Sequence, residues 1–102
     1  MAEYVKVAMV SGIARNSVKG LKVNGQEIAV VNLNGRFFAV SDICPHAHCN
    51  LSDGDIEGEA IWCPCHGSEF DVRTGAVKGG PAQEGIVSYP VRIEGNDILV
   101  EL

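Results

Sequence analysis

A chain of 102 residues with 8 Lys and Arg against 13 Asp and Glu carries a formal net charge of −5. That length bounds it to one small domain, and a 46% hydrophobic content belongs to a folded protein rather than a disordered one. The acidic balance argues against nucleic acid as a partner, because phosphate backbones demand clustered Lys and Arg.

From the N-terminus, Tyr4 to Val10 alternates loosely and reads as a strand. Ser11 to Lys19 is polar and reads as a connection. Leu21–Val23, Ile28–Leu33 and Arg36–Val40 are apolar runs separated by Asn24-Gly25 and Asn34-Gly35, the strongest short hairpin signals. They predict a three-stranded meander over residues 21–40. An irregular stretch, 42–52, follows, and Asp53-Gly54-Asp55 is turn chemistry. Ile56 and Ala60–Trp62 predict a small hairpin around Gly58, and Glu69–Val72 a short strand. Gly79-Gly80-Pro81-Ala82 reads as a rigid turn. Ile86–Ile93 and Ile98–Leu102 predict a closing hairpin over residues 94–97. No amphipathic helix, repeat or linker is visible. Short strands with frequent glycine turns imply an all-β fold. No apolar run is long enough to span a bilayer, and the first residues, with Glu3 early, lack a signal-peptide pattern. A soluble cytoplasmic protein is expected, with a soluble piece of a membrane-anchored parent as the alternative.

The chemistry-bearing residues are concentrated. Cys44-Pro45-His46-Ala47-His48-Cys49 and Cys63-Pro64-Cys65-His66-Gly67-Ser68 hold every cysteine and histidine of the chain. Soft sulfur and imidazole donors gathered this way point to a transition metal or an iron–sulfur cluster. Between Asp42 and Asp71 the only charged side chains are acids: Asp42, Asp53, Asp55, Glu57, Glu59, Glu69 and Asp71. The ligand-bearing part is therefore expected to be strongly acidic.

The spacing Cys44-x-His46 … Cys63-x-x-His66, flanked by Pro45, Pro64, Gly67, Phe70-Asp71, Thr74-Gly75 and Gly80-Pro81-Ala82, resembles the Rieske iron–sulfur family over nearly the whole chain. The resemblance implies a Rieske-like antiparallel β-sandwich or barrel base, residues 3–41 and 83–102, with a small cluster-binding subdomain at about 42–82 inserted in it, all within a single domain of residues 1–102. It implies one [2Fe–2S] cluster, with Cys44 and Cys63 on one iron and His46 and His66 on the other. Two neutral imidazoles in place of thiolates make the cluster easier to reduce, at about −150 to +300 mV against about −400 mV for plant-type clusters. The competing reading is a structural Cys2His2 zinc site, although zinc fingers pair their cysteines and their histidines separately.

Cys49 and Cys65 fall where respiratory Rieske proteins carry a disulfide between the two loops. Such a bond contributes about 3 kcal/mol in the chain-entropy model; two reduced thiols are the alternative in a reducing cytoplasm. By the same resemblance Ser68 is a hydroxyl donor to a cluster sulfide, Phe70 replaces a tyrosine found in high-potential members, and Gly80-Pro81 begin the loop that covers the cluster. His48 is expected to be exposed and not a ligand, and Trp62 to be core packing. The implied function is that of a Rieske-type ferredoxin, an electron carrier and not an enzyme. It would pass one electron from a reductase to an oxygenase or another acceptor through His46 and His66, with the acids offered to a basic docking patch. The alternatives are the soluble head of a quinol-oxidising complex and a small subunit of a multisubunit oxidoreductase.

Overall fold

The run Ile28-Ala29-Val30-Val31 is apolar at every position, the pattern of a strand covered on both faces. In the computed structural model, which describes residues 3–45, 49–65, 67–80 and 84–102, this run lies in β3 (Gln26–Leu33), and all four residues are fully buried. Ile28 and Val30 pack with Ile13, Ala39, Ile98 and Val100 on one side. Ala29 and Val31 pack on the other with Val40, Leu51, Ile61, Phe70 and Val72, together with Cys44 and Cys63. The central sheet is thus the shared middle layer between a basal sheet and the part of the chain that carries the cysteines.

The meander is present as expected. β2 (Ser17–Val23), β3 and β4 (Arg36–Ser41) pair antiparallel, with Val23 opposite Gln26 and Leu33 opposite Arg36. Both turns place two successive residues at positive φ, Asn24 (50°) then Gly25 (79°), and Asn34 (54°) then Gly35 (96°), which is the twist a two-residue hairpin requires. β2 begins at Ser17, inside the stretch expected to be a connection. Asn32 on β3 explains the extension: its backbone carbonyl accepts from Asn16 N–H at 2.6 Å, and its buried side-chain amide donates to the Ile13 carbonyl at 2.8 Å. Those bonds hold the polar segment in register beside β3.

The second correction concerns Ile86–Ile93. It is not one strand but β9 (Ser88–Tyr89) and β10 (Val91–Glu94), divided at Pro90. Proline supplies no N–H to a ladder, and the chain changes sheets there. β9 completes the central sheet, in the order β2-β3-β4-β9, while β10 joins a basal sheet with β1 (Tyr4–Met9) and β11 (Asp97–Glu101), in the order β1-β11-β10. A register shift between Lys6 and Ala8 in the β1–β11 pairing accounts for the loose alternation of the first strand.

A third sheet, β5-β6-β7-β8, is built from β5 (Ile56–Glu57), β6 (Ala60–Trp62), β7 (Glu69–Asp71) and β8 (Val77–Gly79). β8 was not expected; Val77-Lys78-Gly79 has little strand character of its own and is recruited by Phe70 opposite Val77 and Glu69 opposite Gly79. Among the described residues the helical elements are short 3-10 turns at Val10–Gly12 and Leu51–Asp53, and no helix is long and apolar enough to cross a membrane.

Candidate metal centre

Two loops carry the cysteines, and each is closed at its neck by main-chain hydrogen bonds. After β4, Asp42 N–H donates to the Glu27 carbonyl at 3.0 Å and Leu51 N–H returns to the Asp42 carbonyl at 2.8 Å. Ile43 bridges Asn50, and Cys44 N–H donates to the Cys49 carbonyl at 2.9 Å. The second loop leaves β6 and returns into β7. Cys63 N–H donates to the Ser68 carbonyl at 2.8 Å, and Gly67 N–H to the Cys63 carbonyl at 3.1 Å. Each loop is therefore zipped like the end of a hairpin, with Cys44 and Cys63 at the points where the zipping stops.

Asp42 was expected only as one acid among several, but it is 3% exposed and braces the first loop. Its carboxylate accepts from Ser52 N–H at 2.7 Å, Ser52 Oγ at 2.8 Å and Asn50 Nδ2 at 2.9 Å. A buried carboxylate is tolerated only when its lone pairs are satisfied in this way. The signal available in the sequence was a single acid just after the apolar end of a strand and two residues before a candidate ligand.

Cys49 and Cys65 form a disulfide that ties the two loops together. Cys44 and Cys63 stand outside it, 0% and 2% exposed. The Cys49, Cys63 and Cys65 sulfurs lie within 4.8 Å of one another, but a disulfide sulfur offers no thiolate, so this trio is not a metal site as it stands. The sulfur donors outside that bond are Cys44 and Cys63, one per loop, in the same core cluster. This placement fits an iron–sulfur group reached from both loops. Of the expected imidazole donors, His46 and His66 lie outside the described residues, as do His48 and Pro81.

Ser68 and Phe70 are both fully buried directly after the second loop. Gly80 lies over the same loop at a positive φ of 89°; a Cβ there would stand 2.5 Å from Ser68 Cα and 2.9 Å from the Gly67 carbonyl oxygen. Only a residue without a side chain permits that approach. Trp62, expected as core packing, differs from the buried residues around it. It is partly exposed, and among the described residues it joins neither apolar cluster and its buried indole N–H has no partner.

The acidic belt divides by environment. Asp42 and Asp71 are buried. Glu57 and Glu59 sit at the β5–β6 turn, away from the second loop, and Glu59 pairs with Arg73 at 3.3 Å. Asp53 lies beside Lys22 and Glu27 of the first hairpin, while Asp55 and Glu69 lie next to the second loop, where Trp62 N–H donates to the Asp55 carbonyl at 2.9 Å and Glu69 stands opposite Trp62 in the ladder. Burial alone would raise the Asp71 carboxyl. Hydrogen bonds from the Arg73 side chain and backbone, with the charges of Arg73 and Lys78, outweigh it and hold the group below its ordinary value.

Comparison with known proteins agrees with this geometry. The model of the Rieske [2Fe-2S] domain matches residues 3–90. The ferredoxin component of the naphthalene 1,2-dioxygenase/salicylate 5-hydroxylase systems of Ralstonia sp is 36% identical, over 97% of this chain and 95% of that protein. The ferredoxin of carbazole 1,9a-dioxygenase from Nocardioides aromaticivorans IC177 superposes with a TM-score of 0.91 at 34% identity, covering 95% of both chains. A chain from a complex of reduced oxygenase and oxidised ferredoxin in carbazole 1,9a-dioxygenase gives 0.91 at 27% identity, over 96% of this chain and 92% of that one.

Proposed function

Because this chain belongs to the Rieske [2Fe–2S] domain family, carrying one [2Fe–2S] cluster, we propose that it is a soluble, cytoplasmic ferredoxin that takes one electron from a reductase and delivers it to a terminal oxygenase. It is an electron carrier and not itself an enzyme. The observation that carries this reading is the placement of Cys44 and Cys63, buried and outside the disulfide, at the necks of two loops tied by Cys49–Cys65. Cys44 and Cys63 would hold one iron, and His46 and His66 the other. When bound, the cluster stores and returns one electron. The chain's own residues exclude water from the sulfur side: Leu51, Ile61, Phe70 and Val72 pack around the two thiols. Ser68 and the close-lying Gly80 meet at the second loop, and Pro81, expected as part of the cover, falls outside the described residues.

Residues 1–102 make one domain, with a cluster-binding subdomain at about 42–82, because the central sheet is shared between its two halves. The oxygenase partner is supported by the relatives' roles, and its docking patch is basic, complementary to Asp55 and Glu69. EPR of the dithionite-reduced protein, with iron and acid-labile sulfide analysis, tests the assignment. Mixed nitrogen and sulfur coordination of a two-iron centre is expected. Absence of iron, or a signal from all-sulfur coordination, overturns it.

A further inference from the structure

The crowding of three sulfurs has a chemical consequence separate from electron transfer. Cys63 Sγ lies within 4.8 Å of both sulfurs of the Cys49–Cys65 bond. A thiol held against a disulfide is placed for exchange, in which a thiolate attacks one sulfur and the other leaves. We propose that, when the cluster is absent, Cys63 is the nucleophile of an internal disulfide exchange that converts Cys49–Cys65 into Cys49–Cys63.

The direction follows from the loops. Attack on Cys65 would require a ring closed across the single rigid residue Pro64. Attack on Cys49 closes a loop only two residues shorter than the present one, whose partners are 16 apart in sequence, so chain entropy barely changes. Cys65 is exposed whereas Cys63 is buried, so water solvates the departing thiolate. The step is balanced: the Cys63–Cys49 bond forms, the Cys49–Cys65 bond breaks, and the Cys63 proton passes through water to Cys65. No external oxidant or reductant is consumed. Cys44 lies outside the trio and keeps its thiol. The consequence for cofactor loading rests on Cys63 being a cluster ligand: exchange withdraws it, and bound cluster blocks the exchange.

The test begins with holoprotein whose disulfide is intact. The cluster is stripped with an iron chelator under argon, and aliquots are quenched with N-ethylmaleimide over time. Cleavage at the acids between Asp53 and Glu59 separates Cys49 from Cys63 and Cys65, and fragmentation shows which of the last two carries the alkyl group. The stripped protein should progressively show a Cys49–Cys63 link with Cys44 and Cys65 alkylated, while holoprotein keeps Cys49–Cys65. A stripped protein that retains Cys49–Cys65 with Cys63 alkylated overturns the proposal. So do links to Cys44, which would report scrambling of an unfolded chain, and so does alkylation of Cys65 in a Cys63→Ser chain. In a parallel arm, uptake of iron and sulfide should fall by the same fraction as Cys49–Cys65 is lost, and recover after a dithiol reductant. Exchange without any fall in uptake leaves the exchange standing and instead removes Cys63 from the ligand set.

Discussion

The two sides of the central sheet are stabilised by different means. On the basal side, Ile28, Val30 and Ala39 meet Ile98 and Val100 across strands of four to eight residues. Packing there is apolar throughout. On the loop side, the strands are two or three residues long, too short to hold a sheet by themselves. Beyond the apolar cluster under them, they are secured by the Cys49–Cys65 bond, the Asp42 network, the Asp71–Arg73 pair and the close approach of Gly80. Both sides bury an apolar cluster, but a region that must present ligands on short strands needs crosslinks and hydrogen bonds in addition, whereas the longer basal strands do not.

The largest effect should come from Cys63→Ser. It is expected to abolish cluster binding, read as loss of visible absorbance, iron and labile sulfide, while far-UV circular dichroism of the strands persists. Loss of the strand signal together with the cluster would mean that the two sides do not differ in this way. Ile98→Ala, fully buried on the basal side, should cost about 2–5 kcal/mol in denaturant unfolding with the reduction potential unchanged. A shifted potential would show that basal packing reaches the cluster.

Acid should act first on the loop side. The folded Asp71 carboxyl lies below its ordinary value because Arg73 hydrogen-bonds it. Its contribution is therefore fully present above the unfolded value of about 3.9 and is lost as pH falls through the lower folded one. Arg73→Gln should remove that advantage, so the variant's deficit relative to the parent, largest near neutrality, narrows on acidification; a deficit independent of pH refutes the linkage. The smallest effects concern tuning. Ser68→Ala should lower the potential and Phe70→Tyr should raise it, each by on the order of 50 mV, the equivalent of one hydrogen bond of about 1 kcal/mol. Voltammetry showing the opposite sign for either would break the account of these two buried positions.

The sequence by itself determined the meander, because Asn-Gly at residues 24–25 and 34–35 dictates two-residue turns locally. It also determined the two ligand segments, because the residue types and their spacing are the chemistry. Only the tertiary structure decided where the strand ending at Val23 begins, that Pro90 marks a change of sheet, and that Val77–Gly79 becomes a strand at all. Those outcomes depend on which partner edge lies alongside, a long-range fact with no local signature. The same holds for charge. Asp42, Asp55 and Asp71 look alike in the chain, and it is the hydrogen-bond partners brought by distant residues that make one a brace, one a surface acid and one half of an ion pair.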